Sequence, residues 1–413
     1  MEGRAVIIDR LPSFVQPFFS SMTAAVSKPQ FNHLWSLVLA MTVNLRAAKL
    51  VHLSAATPDG RHRTRRGAFL SGSHWDAPAL VERAACDVLA GMKPLPGEVV
   101  YLILDDSRIA KRGAKMGWVS KIWDHKQQRF VRGHIVLTAA VAFRGVVLPW
   151  RIELWKPKSQ GGGHYRKLTD MAAAMIKTFA APAGVTVRVL FDAFYLCPAL
   201  AKACQSRGFF FFSVAQRNRC FTTHNRRRRK IAQIMPGLIR HQGKTARMTR
   251  SRKTATLRIA HVDGRLSRIG QVRMVVSKRP RGPWKKCIAI ITNQTGLRPR
   301  EIVAIYEKRW LIEVLFKELA QDLGLGDYQM LSEEAILNHL HVCCLAHLML
   351  THQSIKGLGA QATKPNKQVK MPPMSQRLAS LRARIAKDQI SRLAGGPAHV
   401  KLRKKLFDYL IAA

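Results

Sequence analysis

The sequence predicts an α/β fold, a mixed sheet covered by helices, and three observations point there. Between residues 96 and 216, short apolar runs of strand length first neighbour one another and then alternate with helix-length segments. Two of these runs stop at an aspartate, Asp105 and Asp192. A long stretch, 217–300, then breaks the rhythm with 24 Lys+Arg against the single acid Asp263, which reads as a β-rich insertion with a basic face.

The elements follow in order. Phe31 to Lys49 and Ala77 to Met92 have the apolar spacing of amphipathic helices, with the basic loop Arg61-His-Arg-Thr-Arg-Arg66 between them. Residues 1–95 are therefore expected to form a helical N-terminal DNA-binding domain. Val99-Val-Tyr-Leu-Ile-Leu104 is a buried strand ending at Asp105-Asp106. His134 to Phe143 and Val146 to Leu154 are two more strands, joined at Gly145 as a hairpin. Tyr165 to Phe179 is helical, Val185 to Phe191 a strand ending at Asp192, Ala199 to Ser206 a helix and Phe209 to Val214 a strand. Inside the insertion, Thr254 to Val262 and Gln271 to Ser277 alternate like strands. The core resumes at Cys287 to Thr292 and continues through a helical segment near Tyr306 to the apolar helix Ala335 to Thr351. From 355 onward the tail holds 13 Lys+Arg and two acids, and Ala360 to Met374 reads as a flexible basic linker. The expected organisation is 1–95, a core in two parts at 96–216 and 287–354, the insertion at 217–286 and the tail at 355–413.

Charge narrows the function. The 413 residues carry 69 Lys+Arg against 24 Asp+Glu, a formal net charge of +45. Such a chain repels itself without a polyanion, and cations that replace condensed counterions suit nucleic acid. No separate amphipathic Lys/Arg helix argues for a membrane surface, and no apolar run reaches membrane-spanning length. Ribosomal or nucleoid packing is the competing class, but such proteins are shorter and poorer in Trp and Phe. The seven cysteines lack framework spacing and read as free thiols. With no cleavable signal pattern in Met1 to Pro17, a cytoplasmic protein is expected.

The chemistry-bearing residues are few. Tyr306, Arg309 and Glu313 fall at i, i+3 and i+7 and line one helical face. In open α/β sheets, chemistry collects beyond the carboxyl ends of strands, where Asp105 and Asp192 lie. Three converging carboxylates suit paired divalent cations acting on a phosphodiester. Taken singly, each Asp is more often a cap or turn residue, and Glu313 an i+4 partner of Arg309. Order and context favour the joint reading.

These residues resemble a known family. Tyr306-x2-Arg309-x3-Glu313, within Arg309-Trp310-x-Ile312-Glu313-x2-Phe316-Lys317, is similar to the Y-R-E-K signature of DDE transposases from bacterial insertion sequences. Asp105-Asp106-Ser107, followed by Lys111-Arg-Gly113 and Lys115, resembles the first-Asp motif, and Phe191-Asp192 with Phe194-Tyr195 resembles the second. Thr292-Asn293 leading to Tyr306 also fits, so the resemblance covers about 95–330. It implies an RNase H-like core and a transposase that nicks element ends and transfers the freed 3′-hydroxyl to target DNA. It also implies two Mg²⁺, with Mn²⁺ as substitute, held by Asp105, Asp192 and Glu313. Asp105 and Asp106 point to opposite sides of a strand, and register with the motif favours Asp105. The family Lys falls at Ala320, while Lys317, four residues after Glu313, keeps roughly that face. The alternatives are an inactive DNA-binding relative, a metal-dependent nuclease without strand transfer, and an RNA-binding structural protein.

Tyr306, Arg309 and Lys317 are expected to orient the DNA backbone, Arg309 by a bidentate fork. Arg226, Arg227, Arg228, Arg229 and Lys230 form a phosphate-tracking patch rather than a targeting signal. Trp284, the only Trp of the insertion, is a base-stacking candidate by the resemblance, with a core role as the alternative. His339, Cys343 and His347 share a helix face, but the surrounding leucines make them core residues. Gly161-Gly-Gly163 lacks the Lys and Ser/Thr of a phosphate loop and reads as a turn. The expected partners are double-stranded DNA, as terminal inverted repeats and as target, and a second copy of the chain when DNA is bound.

Overall fold

The structure is a computed structural model that describes residues 10–57, 62–124, 128–161, 165–224, 227–250 and 253–393. Its centre is a mixed sheet. β1 (Val99–Ala110) pairs antiparallel with β3 (Arg129–Phe143), which pairs with both β2 (Ser120–Asp124) and β4 (Val146–Leu154). On its other side β1 runs parallel to β5 (Thr186–Phe191), and β5 runs parallel to β6 (Phe210–Val214). The order β4-β3-β1-β5-β6, three antiparallel strands followed by two parallel ones, is an RNase H-like arrangement.

The insertion extends the same sheet. β6 pairs with β12 (Ile288–Thr292), β12 with β11 (Gly270–Lys278) and β11 with β10 (Lys253–Leu266). β10 also holds β9 (Lys244–Arg250) and β7 (Cys220–Thr223), and β7 pairs with the edge strand β8 (Arg228–Lys230). Arg227 to Lys230 are exposed, and a row of cations on an edge strand discourages sheet-to-sheet association.

Helices cover the sheet: α1 (Lys28–Val43), α2 (Leu50–Ala55), α3 (Arg63–Gly72), α4 (Ala77–Gly91), α5 (Leu168–Thr178), α6 (Pro198–Ser206), α7 (Ile231–Gln242), α8 (Pro299–Glu307), α9 (Leu311–Lys317), α10 (Glu333–Leu358) and α11 (Met374–Leu393). α10 is buried on nearly all sides between α1, α3, α4, β4 and α11, which explains its near-continuous apolar sequence. His339, Cys343 and His347 lie in this core. His339 Nε2 meets the Gly324 carbonyl at 3.1 Å, and His347 Nε2 meets Glu318 at 2.8 Å. Among the described residues no helix is long and apolar enough to cross a membrane.

Several elements differ from the sequence reading. The expected basic loop at 61–66 is helical from Arg63 onward, as part of α3, with Arg66 buried. The short strands β2, β7, β8 and β9 lie outside the runs read as strands. β1 does not end at Leu104 but runs to Ala110, because the long partner β3 carries the pairing on to Ala110↔Gly133. Asp105 and Asp106 therefore sit inside a strand. The insertion contains a helix, α7, whose buried Ile231, Met235, Leu238 and Ile239 keep helical spacing in spite of Pro236. The segment expected to be a flexible linker is tied down. Val369 N–H donates to the Arg144 carbonyl at 2.6 Å, Asn366 N–H donates to Glu98 at 2.9 Å, and Ala362 is buried.

Arg144 and Gly145 form the β3–β4 turn with φ of 46° and 87°, the conformation of a two-residue hairpin turn whose twist matches its strands. The Arg144 side chain folds inward and forms a buried ion pair with Glu98. It also donates to the Met92 carbonyl at 3.0 Å. That hydrogen-bonded pair holds the Glu98 carboxyl down at about 2.

Candidate active site

The parallel β1–β5 register pairs Ile103 with Leu190. Two residues further on, the same offset brings Asp105 level with Asp192. Neighbouring strands lie about 4.8 Å apart, so two acids 87 positions apart in sequence become neighbours where the parallel pairing stops.

Glu313 arrives from α9. Tyr306 lies in the last turn of α8, Arg309 in a 3₁₀ turn at Lys308–Trp310, and Glu313 in the first turn of α9. The stripe expected on one continuous α-helix thus passes through a tighter turn. Arg309 joins the acids: one amino nitrogen donates to Asp105 Oδ2 at 2.6 Å and the other lies 3.5 Å from Glu313 Oε1. Burial works against the Arg309 charge, yet Asp105, Tyr306, Glu313 and Asp192 together hold its pKa above the usual value.

The acids are strained electrostatically. Burial raises the Asp105 carboxyl to about 7; Arg309 opposes the shift, while Asp192, Asp106 and Glu313 add to it. Burial also raises Asp192, against two backbone hydrogen bonds, from Phe194 N–H at 2.9 Å and Tyr195 N–H at 3.3 Å, that both end on its Oδ1. Burial is the main cause for Tyr306 too, whose phenol is pushed up to about 12 and stays a neutral donor.

The structure brings in two residues beyond the expected set. Tyr195 is fully buried, and its hydroxyl donates to Asp106 Oδ1 at 2.8 Å. Through its N–H on Asp192 and its O–H on Asp106, one side chain and its backbone tie the β5 acid to the β1 acids. Asp106 N–H in turn donates to Asp105 Oδ1 at 3.0 Å. Asp105 faces Arg309 and Glu313, whereas Asp106 is engaged by Tyr195. The signal for Tyr195 was present in Phe194-Tyr195 after Asp192, but its partner is set by the fold.

The other expected residues are placed as follows. Lys317 is exposed at the end of α9, where the backbone widens into a π-helical turn, Glu318–Asp322, that contains Ala320. Arg227, Arg228, Arg229 and Lys230 lie at the far edge of the sheet, six strand positions from β5, and do not join the acids. Arg226 lies outside the described residues, as do residues 162 and 163 of the triple glycine. Trp284 is 45% exposed, with the Lys278 ammonium 5.0 Å from its ring centre. A cavity of about 1320 Å³ runs from Tyr306, Lys308 and Arg309 to Lys278, Arg279 and Lys286, giving it a basic lining.

The raised Asp105 pKa has a consequence for stability. The unfolded chain releases this proton near pH 3.8, whereas the folded chain keeps it until about pH 7. The folded state therefore binds more protons in that window, and stability falls as pH rises through it. The effect is on the order of 4 kcal/mol. Urea midpoints of metal-free protein between pH 4 and 8 should drop for wild type and flatten for Asp105→Asn. A slope that Asp105→Asn leaves untouched would place the titration elsewhere.

Residues 100–349 match the family described as transposase DDE domain. The chain is 28% identical over 129 residues to a probable transposase for insertion sequence element IS701 of Microchaete diplosiphon, a match covering 31% of this chain and 33% of that protein. The chain thus spans about a third of the length of that curated relative.

Proposed function

The chain belongs to the transposase DDE domain family, and from that premise we propose that it nicks DNA at the ends of an insertion element and transfers the freed 3′-hydroxyl ends to target DNA. The observation that carries the reading is the register that sets Asp105 level with Asp192, with Arg309 joining Asp105 to Glu313. The double-stranded substrates are the terminal repeats and the target, handled in the cytoplasm by a dimer assembled on DNA.

The donor set suits Mg²⁺ in its chemistry. All the donors are hard carboxylate oxygens, and their mutual repulsion helps to raise Asp105, a field that divalent cations relieve. Among the described residues no three acidic, His or Cys side chains stand close enough to hold an ion as they are, and Arg309 stands between Asp105 and Glu313. Asp105, Asp192 and Glu313 would hold two Mg²⁺, or Mn²⁺ in their place, which when bound supply activation of the attacking oxygen and stabilisation of the leaving one.

The remaining work falls to the chain. Arg309 gives up its acids and offers its planar fork to the scissile phosphate. Tyr306, neutral at working pH, donates its hydroxyl to the same backbone, and Lys317 supplies a point charge from the exposed end of α9. Tyr195 keeps Asp106 and Asp192 in place.

A joining assay tests this reading. A pre-cut element end with a free 3′-hydroxyl, incubated with a supercoiled target and Mg²⁺, should give joined products, and the same end with a 3′-deoxy terminus should give none. Cutting of intact ends without any joined product would mean a nuclease instead.

A further inference from the structure

β2 and the first residues of β3 leave the body of the sheet as a two-stranded ribbon. The ribbon starts where β1 stops and lies beyond the end of β1 that carries the acids. Residues 108–132, which include it and its base, hold eight Lys+Arg and one acid, Asp124. Arg108, Arg112, Lys115, Lys121, Arg129 and Arg132 are all exposed.

The register decides which way the ribbon faces. Lys121 pairs with Arg132 and Trp123 with Phe130, so these four share one face. Asp105 pairs with Thr138, an even number of residues from Arg132 and Phe130, so the ribbon's cationic and aromatic face continues the face of the sheet that bears Asp105. The opposite face is turned inward, with Ile122 buried. On the outward face Phe130 is 56% exposed, Trp123 packs edge-on against it at 5.0 Å, and the Lys121 ammonium lies 4.9 Å from the Phe130 ring centre.

The base is rigid. Lys111 N–H donates to the Arg132 carbonyl at 2.8 Å, and the Lys111 ammonium donates to the carbonyls of Gly326 and Tyr328. His134 meets the Tyr328 hydroxyl at 2.7 Å and the Gly117 carbonyl at 2.9 Å. Gly133 lies so close to the Ile109 carbonyl that no side chain fits there.

Reach selects the partner. At about 3.3 Å per residue, Arg132 and Lys121 lie roughly 20 Å along the sheet from Asp105 and Phe130 roughly 26 Å. One turn of B-DNA is about 34 Å. Between Asp105 and the ribbon His134 is buried against Tyr328, so a duplex with its scissile phosphate at Asp105 crosses that cover to reach the ribbon within one turn, and a two-stranded ribbon is of a size that the major groove admits. We propose that the β2–β3 ribbon is a DNA-binding arm that grips the cleaved duplex beside the scissile phosphate, with Lys121 and Arg132 on phosphates and Phe130 packed against the groove. The inference rests on the DNA-cleaving reading of the acids, and it assigns to the core a contact separate from the basic insertion.

The experiment measures binding of the full chain to a fluorescent duplex carrying the end of the encoding element, across a range of salt, with Asp192→Asn present throughout to prevent cutting. Lys121→Ala with Arg132→Ala should lower the slope of log affinity against log salt by about two. Phe130→Ala should weaken binding without changing that slope. Hydroxyl-radical footprints should lose backbone protection on one side of the scissile bond, within one helical turn. A slope and a footprint equal to those of the Asp192→Asn parent would overturn the arm, as would a loss seen only with target duplex. Cleavage by wild type is scored separately: a lost footprint without wild-type cleavage keeps the arm and sinks the chemistry, whereas cleavage with an unchanged footprint does the reverse.

Discussion

Asp192→Ala should abolish Mg²⁺-dependent cleavage of the element end, by at least about a thousand-fold, or roughly 4 kcal/mol of barrier. The acid stands just past the end of β5, where it meets the acid of β1, and neither Asp106 nor Glu313 lies there to replace it. Its Oδ1 also accepts the N–H groups of Phe194 and Tyr195, so alanine removes a turn as well as a charge. Asp192→Asn separates the two effects, because an amide oxygen accepts the same N–H groups while the charge is gone. Both variants should lose cleavage, and the asparagine variant should melt close to wild type. DNA affinity should hold or rise slightly, since a negative charge has been removed from a basic surface. Wild-type cleavage rates in both variants would sink the site assignment.

Arg144→Ala should be the most destabilising single change outside the hydrophobic core, at about 3–5 kcal/mol. Its guanidinium is 3% exposed and its partner Glu98 6% exposed. Removing the arginine leaves a buried carboxylate without its counter-ion and frees the Met92 carbonyl. The loss should spread to the C-terminal segment, because Asn366 shares Glu98 and Val369 bonds the Arg144 backbone. Thermal melts should show the drop, and proteolysis should begin near 362–369 before the sheet yields. The double variant Arg144→Met with Glu98→Gln should recover much of the loss, since it removes both charges together. The pH sign also follows. Glu98 is depressed to about 2, so its contribution is present above the ordinary glutamate range near 4.5 and is lost as pH falls toward 2. A melting point for Arg144→Ala within a degree or two of wild type would mean that water reaches Glu98.

The sequence alone carried the strands of the core and the two long strands of the insertion, the long buried helix and the Tyr306-Arg309-Glu313 stripe. Each of these is set by residues within a turn or a few strand positions of one another, and local periodicity records such neighbours. Charge likewise marked 217–300 as a basic insertion without any knowledge of its shape. Where local signals were mixed the reading was incomplete. Helix α7 hid behind Pro236 and flanking arginines. The stop of β1 was placed at Asp105 because an acid looks like an end, whereas pairing with β3 carries the strand on to Ala110. The tail from 360 looked like a linker because its anchors, Glu98 and Arg144, lie more than 200 residues away.

The tertiary structure decided everything that depends on register. The offset between β1 and β5 made neighbours of Asp105 and Asp192, and the offset between β1 and β3 put Phe130 and Arg132 on the face of Asp105. It also gave Tyr195 its hold on Asp106. A shift of one residue in either pairing would turn those side chains to the opposite face while leaving every local pattern unchanged. Register is fixed by the packing of distant apolar faces into one core. The residue types of the site and the convergence of its acids were therefore legible in the chain, and the register that brings them together was not.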